Sequence, residues 1–233
     1  MNYKRKEVFA DAGITLYLGD CNLIIPELEE RFDAVITDPP YGISYRSNMS
    51  ERKFEHIAND ERPSAEWMED LGNIVKYNSC LFLFTRWDVE HVWRDYVSDG
   101  GWDIKSQVIW HKASGGMGDL YAQYSPSHEN AIFATRGKWH FPSKRPESVY
   151  RITRDDVNSY VHPTQKPVAL MERIVLDVTD KDASVVDPFM GSGTTGIACS
   201  KHRRKFVGIE IDERYFDFAC ERIANMLMQP RLL

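Results

Sequence analysis

Asp38-Pro39-Pro40-Tyr41 closes a short β-rich run, Asp33–Thr37, and sets a carboxylate, two imino acids and an aromatic ring side by side. Proline has no backbone N–H, so the turn offers carbonyl acceptors without donors at Pro39 and Pro40. Such a corner suits a flat ring that carries an exocyclic amino group. Asp38 and the Pro39 carbonyl would accept the two amine hydrogens, and Tyr41 would stack on the ring face. Asp-Pro pairs are also ordinary turn signals, so the tetrad alone leaves a purely structural turn open.

A second constellation lies far along the chain. Ser184-Val185-Val186-Asp187-Pro188-Phe189-Met190-Gly191-Ser192-Gly193-Thr194-Thr195-Gly196 reads as strand, tight turn, helix. Gly191, Gly193 and Gly196 fit the spacing G-x-G-x-x-G, and Glu210 follows nineteen residues after Gly191. In dinucleotide-binding units the glycines permit the turn and close ligand approach, while the acid bonds ribose hydroxyls. NAD is one reading and a merely tight turn another. Asp187 favours a third. A carboxylate before the glycines would repel a pyrophosphate but suit an ammonium group. S-adenosylmethionine has a ribose and an ammonium and no phosphate.

These residues need a scaffold. β-rich runs occur at Ile14–Leu18, Asp33–Thr37, Cys80–Thr85, Gln107–Trp110, Asn130–Thr135, Ser184–Val186 and Lys205–Ile211. Most are continuous apolar runs, the pattern of a sheet buried on both faces. Helical spacing lies between them: from a Ser64 cap to about Tyr77, Asp88–Val97, Pro167–Val178, Thr194–Ser200 and Glu213–Met228. Alternating strands and helices predict a doubly wound α/β sheet. Asp20 either faces a ligand or caps a helix over Cys21–Glu30. Ser44–Arg62 and Ala113–Ser127 are long for connections and are expected to be functional loops. Arg136–Arg154 holds six Lys/Arg against one acid, Glu147, with Trp139, Phe141 and Tyr150 interleaved.

The 233 residues suffice for one sizeable domain, and 42% hydrophobic with 27% charged residues is a globular balance. A net charge of −6 argues against a uniformly basic nucleic-acid binder but not against a local basic patch. No apolar run approaches the roughly 20 residues of a membrane helix. No secretory signal is evident, and Cys21, Cys80, Cys199 and Cys220 are too scattered for a zinc or redox motif. A cytoplasmic protein with cysteines as core fillers is expected.

With the tetrad first and the glycine loop last, the chain resembles the beta group of DNA amino-methyltransferases over nearly its whole length. Gly19-Asp20-Cys21 resembles the group's early acidic turn, which contacts the adenine region of the cofactor. His162-Pro163-Thr164-Gln165-Lys166-Pro167 resembles the segment leading into the helix before the cofactor loop. Trp110-His111-Lys112 and His128-Glu129-Asn130 also fit the pattern. The resemblance implies a Rossmann-like, S-adenosylmethionine-dependent methyltransferase fold. Its sheet would be mixed, about seven-stranded, with helices on both faces. Residues 1–233 would form a single catalytic domain, with a lid loop at about 43–62 and a short target-recognition insertion at about 137–160.

The resemblance further implies that Asp38, Pro39, Pro40 and Tyr41 are catalytic. Asp20, Cys21, Asp38, Lys166, Asp187, Phe189, Gly191, Ser192, Gly193, Thr194, Glu210 and Ile211 would meet the cofactor. For Lys166 a solvated lysine beside a helix start is an equal alternative. An acid-initiated tetrad is usual for the adenine 6-amino group and a serine-initiated one for the cytosine 4-amino group, so adenine is expected. No metal is required. Double-stranded DNA would be the partner, contacted by Arg46, Arg52 and Lys53 of the lid and by Lys144, Arg145 and Arg151 of the basic segment. A homodimer and a cognate restriction endonuclease stay open. The rival functions are a cytosine 4-amino methyltransferase, an NAD-dependent oxidoreductase and a non-enzymatic DNA-binding module.

Overall fold

Side chains of the central strands divide by parity between two apolar layers. Ala34 and Ile36 join one cluster and Val35 the other, and Cys80, Phe82 and Phe84 alternate in the same way with Leu81 and Leu83. The continuous apolar runs thus become strands covered on both faces. The computed structural model describes residues 2–41, 64–113, 115, 121–155 and 165–228. The expected lid loop, at about 43–62, lies outside the described residues, as do 156–160 of the insertion.

The chain opens with β1 (Arg5–Phe9), β2 (Ile14–Leu18), α1 (Cys21–Ile24), β3 (Phe32–Thr37), α2 (Glu66–Ile74) and β4 (Val75–Thr85). It continues with α3 (Glu90–Asp99), β5 (Asp103–His111), β6 (His128–Arg136) and β7 (Val149–Arg151). The last part is α4 (Val168–Val178), β8 (Ser184–Asp187), α5 (Thr194–Lys201), β9 (Lys205–Glu210) and α6 (Glu213–Met228). One sheet forms in the order β1-β2-β9-β8-β3-β4-β6-β5-β7. Helices α1, α2 and α3 pack on one face through Ile24, Trp67, Leu71 and Trp93. Helices α4, α5 and α6 cover the other through Leu170, Ile174, Ala198, Phe216 and Ile223.

Nine described strands replace the seven expected. The two additions, β1 and β7, are the sheet edges. β1 is polar and almost wholly exposed, and β7 has three residues, so neither carries an apolar run. Other differences are local. Pro26 has no N–H to continue α1, and a 3-10 turn at Ile25–Glu27 replaces the rest of the helix expected to Glu30. Ala65, not Ser64, precedes α2, and the Ser64 carbonyl instead accepts from Trp67 Nε1 at 3.1 Å. Helix α2 stops at Ile74 because Val75 already pairs with Phe32.

The site follows from the topology. β3 and β8 are parallel neighbours, with Ala34 beside Val185 and Val35 beside Val186. From β8 the chain crosses to β9 on one side, and from β3 it crosses to β4 on the other. The direction of winding reverses between β3 and β8, and a crevice opens at their carboxyl ends. Both candidate turns leave the sheet there.

Candidate active site

At the end of β3, Asp38 is held from both sides. Its Oδ1 accepts from the Tyr41 hydroxyl at 2.5 Å, and its Oδ2 accepts from the Lys166 ammonium. Lys166 precedes α4 and also lies 3.1 Å from Glu129 Oε2. Glu129, near the start of β6, pairs through Oε1 with Lys112, just past β5. Four buried or half-buried charges of alternating sign therefore run from Lys112 to Asp38. Phe84 lies under the Lys166 ammonium, 4.7 Å from ring centroid to nitrogen.

Burial, with the charge of Glu129, pushes Asp38 above the usual aspartate range against the pull of Lys166 and Tyr41. Burial acts on Glu129 too, but Lys166 and Lys112 outweigh it and bring that group down to about 2. Lys166 is pushed up to about 12, since Asp38 and Glu129 together overcome its desolvation. For Lys112 desolvation prevails over Glu129, and its affinity for the proton falls.

At the end of β8, Gly191 and Gly193 turn the chain with φ of 52° and 77°. A Cβ on Gly193 would also stand 2.9 Å from the Ala219 Cβ of α6. Asp187 ties this turn to the other one. Its Oδ1 accepts from Thr37 Oγ1 at 2.9 Å and from the Phe189 N–H at 3.1 Å, and its Oδ2 accepts from Thr195 Oγ1 at 2.8 Å. Glu210, at the end of β9, accepts from the N–H groups of Gly191 at 2.9 Å and Asp212 at 2.8 Å. Burial raises Asp187 to about 6 against the hydrogen bonds of Thr195, Thr37 and Phe189. It raises Glu210 to about 7 against the backbone donors of Asp212, Gly191 and Ile211.

One cavity of about 990 Å³ joins the two turns. Asp20, Cys21, Asp38, Pro39, Pro40, Tyr41, Lys166, Asp187, Phe189, Gly191, Ser192, Thr194, Glu210 and Ile211 all line it. Gly193 does not: its place is in the turn, against α6. Asp20 caps α1 through the Asn22 N–H at 2.9 Å and also lines the cavity. Lys166 is no solvated lysine; it is 7% exposed and faces two carboxylates.

Sequence reasoning assigns no role to several residues here. Trp67 lines the cavity and meets the Phe189 ring edge-on at 5.3 Å, and exposed Trp87 stands at its rim. Lys112 and Glu129 belong to segments that fit the family pattern, without a function. Arg222 of α6 braces the glycine turn, donating to the Ser192 carbonyl at 2.6 Å, Ser192 Oγ at 2.8 Å and Thr194 Oγ1 at 3.2 Å. A lone arginine within an amphipathic helix gives no signal of such a duty.

The proposed DNA contacts divide. Arg46, Arg52 and Lys53 lie outside the described residues. Lys144, Arg145 and Arg151 are exposed, the last on the edge strand β7 and 3.7 Å from Glu147. The segment does not present one face. β6 is antiparallel to β4, so Asn130 pairs with Thr85 at the cavity end and Arg136 pairs with Ser79 at the opposite end. From there the chain returns along the sheet edge to Arg151, beside His111. The interleaved aromatics turn inward: Trp139 and Phe141 pack on Phe133, and the Tyr150 hydroxyl donates to Asp177 at 2.8 Å.

Solved structures of the same shape are methyltransferases. The M1.HpyAVI–SAM complex superposes with a TM-score of 0.75 at 28% identity, covering 90% of this chain and 98% of that one. The cytosine-N4-specific PvuII DNA methyltransferase shares the fold, with a TM-score of 0.73 at 16% identity over 100% of this chain and 92% of its own. The family model described as DNA methylase matches residues 32–221, and the chain belongs to that family, the S-adenosylmethionine-dependent DNA amino-methyltransferases. Among relatives, the type II methyltransferase M.HpaI of Haemophilus parainfluenzae is 28% identical over 224 residues, 84% of this chain and 69% of that protein. The putative methylase YubD of Escherichia coli (strain K12) is 27% identical over 211 residues, 88% of each chain. Family membership sets aside the NAD-dependent oxidoreductase. No helix among the described residues is long and apolar enough to cross a membrane.

Proposed function

We propose that this chain methylates the 6-amino group of adenine in double-stranded DNA, acting on a base turned out of the helix. The observation that supports it most directly is the Thr37–Asp187 hydrogen bond, which fixes the Asp38 turn against the glycine turn within one cavity. The adenine amine is a poor nucleophile because its lone pair is delocalised into the ring. A stacked, paired base also cannot reach a cavity, so it must be extruded. Asp38 Oδ1 and the Pro39 carbonyl would then accept the amine hydrogens and favour a pyramidal nitrogen, with the Tyr41 ring on the base face. Positioning and electrostatics are the main contributions.

The cavity suits the cofactor in size and in its donor and acceptor set. Glu210 would hold the ribose hydroxyls, Asp20, Cys21 and Ile211 the adenine end, and Asp187, Phe189, Gly191, Ser192 and Thr194 the methionine end. When bound, S-adenosylmethionine supplies an electrophilic methyl carbon, to which the base nitrogen bonds as the carbon–sulfur bond breaks. The surplus proton on the methylated nitrogen passes to Asp38, whose proton affinity burial has raised, and then to water. Arg46, Arg52, Lys53, Lys144, Arg145 and Arg151 would neutralise backbone phosphates.

Methylating plasmid DNA, digesting it to nucleosides and weighing them tests the reading. N6-methyladenine is expected. N4-methylcytosine would replace the adenine assignment, and unmodified DNA despite cofactor binding would overturn catalysis and favour the binding-module reading.

A further inference from the structure

The charge row Lys112–Glu129–Lys166–Asp38 has a cost that nothing in the packing explains. Each charge in it gives up water, and buried ion pairs seldom outperform apolar groups of similar size. Three stretches of the chain nevertheless converge to build it: the end of β3, the paired ends of β5 and β6, and the approach to α4. All four side chains line the cavity of the catalytic turn. The row ends at the carboxylate assigned to the base amine, and it occupies one defined oxygen there. The other oxygen is capped by a hydroxyl from the tetrad itself.

We propose that Lys166 and Glu129 are positioning residues for methyl transfer. Glu129 fixes the Lys166 ammonium; Lys166 holds Asp38 Oδ2, leaving Oδ1 as the oxygen that receives the base. The Tyr41 hydroxyl stands in for the amine in the resting protein. An arriving base replaces the O–H···Oδ1 bond with an N–H···Oδ1 bond and frees the tyrosine ring to lie on the base. This inference rests on the reading of Asp38 as the amine acceptor.

The groups facing Asp38 are Tyr41 on its own turn, Lys166 before α4, Glu129 of β6 and Asp187 of β8. Lys112 lies one charge further out, and Arg86 acts on Tyr41. Removing the nearest cation and removing the nearest anion should therefore shift Asp38 in opposite directions. Those signs follow from the proximity of the charges alone; the positioning role is read from kcat against KM and from recovery in Lys166→Arg.

The experiment is a carbon-13 NMR titration of aspartate carboxyl groups in the full, cofactor-free chain, with Asp38 assigned by Asp38→Asn. Lys166→Met is expected to raise the Asp38 midpoint by about one pH unit or more, and Glu129→Gln to lower it. Lys166→Arg, which keeps the charge, is expected to stay close to wild type. The acid limb of kcat should move in the same directions, with kcat of Lys166→Met down about tenfold or more and KM for DNA changed far less. An Asp38 midpoint that stays put in Lys166→Met, or a wild-type kcat in that variant, would overturn the inference. Should Lys166→Met fail to fold, an unmoved midpoint in Glu129→Gln alone would do so. Wild-type turnover by Asp38→Ala would instead bring down the underlying assignment of Asp38.

Discussion

Asp38, Asp187 and Glu210 are three carboxylates on one cavity, and each has a different set of partners. Asp38 meets a hydroxyl and an ammonium, so its charge is available to a base once Tyr41 leaves. Asp38→Ala should abolish methyl transfer while leaving S-adenosylmethionine affinity within a fewfold of wild type; a labelled-methyl assay beside calorimetric titration checks both. Asp187 accepts three protein hydrogen bonds and is 3% exposed, so its first duty is to join the two turns. Its position at about 6, against an ordinary 3.8, gives a sign to pH dependence. The folded state holds this proton more tightly than the unfolded chain, so the group's contribution to stability is full below about 3.8 and is lost as pH rises through about 6. The unfolding midpoint of Asp187→Asn, taken relative to wild type, is therefore expected to be higher at pH 8 than at pH 5, whatever the constant cost of the lost acceptor. Thermal melts of the cofactor-free proteins read this, and a difference independent of pH would contradict it. The tetrad and the glycine turn were legible because their residues are contiguous and their chemistry is local. The joint role of Lys112, Glu129 and Lys166 was not, since strand pairing and the entry to α4 bring them together and spacing says nothing of that.

Between the turns and the sheet stand the elements that aim them. Helix α5 starts directly at the glycine turn, and α6 locks it from behind through Arg222 and the packing of Ala219 on Gly193. Gly193→Ala combines a left-handed backbone with a 2.9 Å approach and should destabilise the protein by about 2–4 kcal/mol. Denaturant unfolding checks that figure. Arg222→Met keeps much of the aliphatic stem and removes three hydrogen bonds, so cofactor affinity is expected to fall about tenfold with the fold retained. Isothermal titration against S-adenosylmethionine measures it. Element existence was legible wherever a run was buried on both faces. It failed at β1 and β7 because an edge strand needs no apolar run, and its hydrogen bonds come from a neighbour that sequence does not name.

For the whole molecule, charge placement matters more than charge sum. The net −6 coexists with a basic stretch that returns along one sheet edge, where Val149–Arg151 run beside Ile109–His111 toward the cavity end. Replacing Lys144 and Arg145 with glutamine should lower the slope of log affinity against log salt by about two, since each phosphate neutralised by a side chain adds roughly one to that slope. Binding titrations at several salt concentrations read it, and an unchanged slope would remove these two residues from the interface. The basic stretch is legible in the sequence, but its interleaved aromatics belong to a different surface; Trp139 and Phe141 serve the core. The pairing of β1 with α6 carries a consequence of another kind. Arg5 pairs with Asp217 and lies over the Phe216 ring at 4.6 Å, so the first strand and the last helix are neighbours. A linker of about ten residues would outreach a 16-residue helix of roughly 24 Å. The two halves meet at β3–β8 and at β2–β9 through sheet pairing, not through the covalent order of the chain. A circular permutant joined there and reopened between β7 and α4 would carry the glycine turn first and the catalytic turn last. It should assemble the same cavity, making the order of the motifs a matter of where the ring is cut.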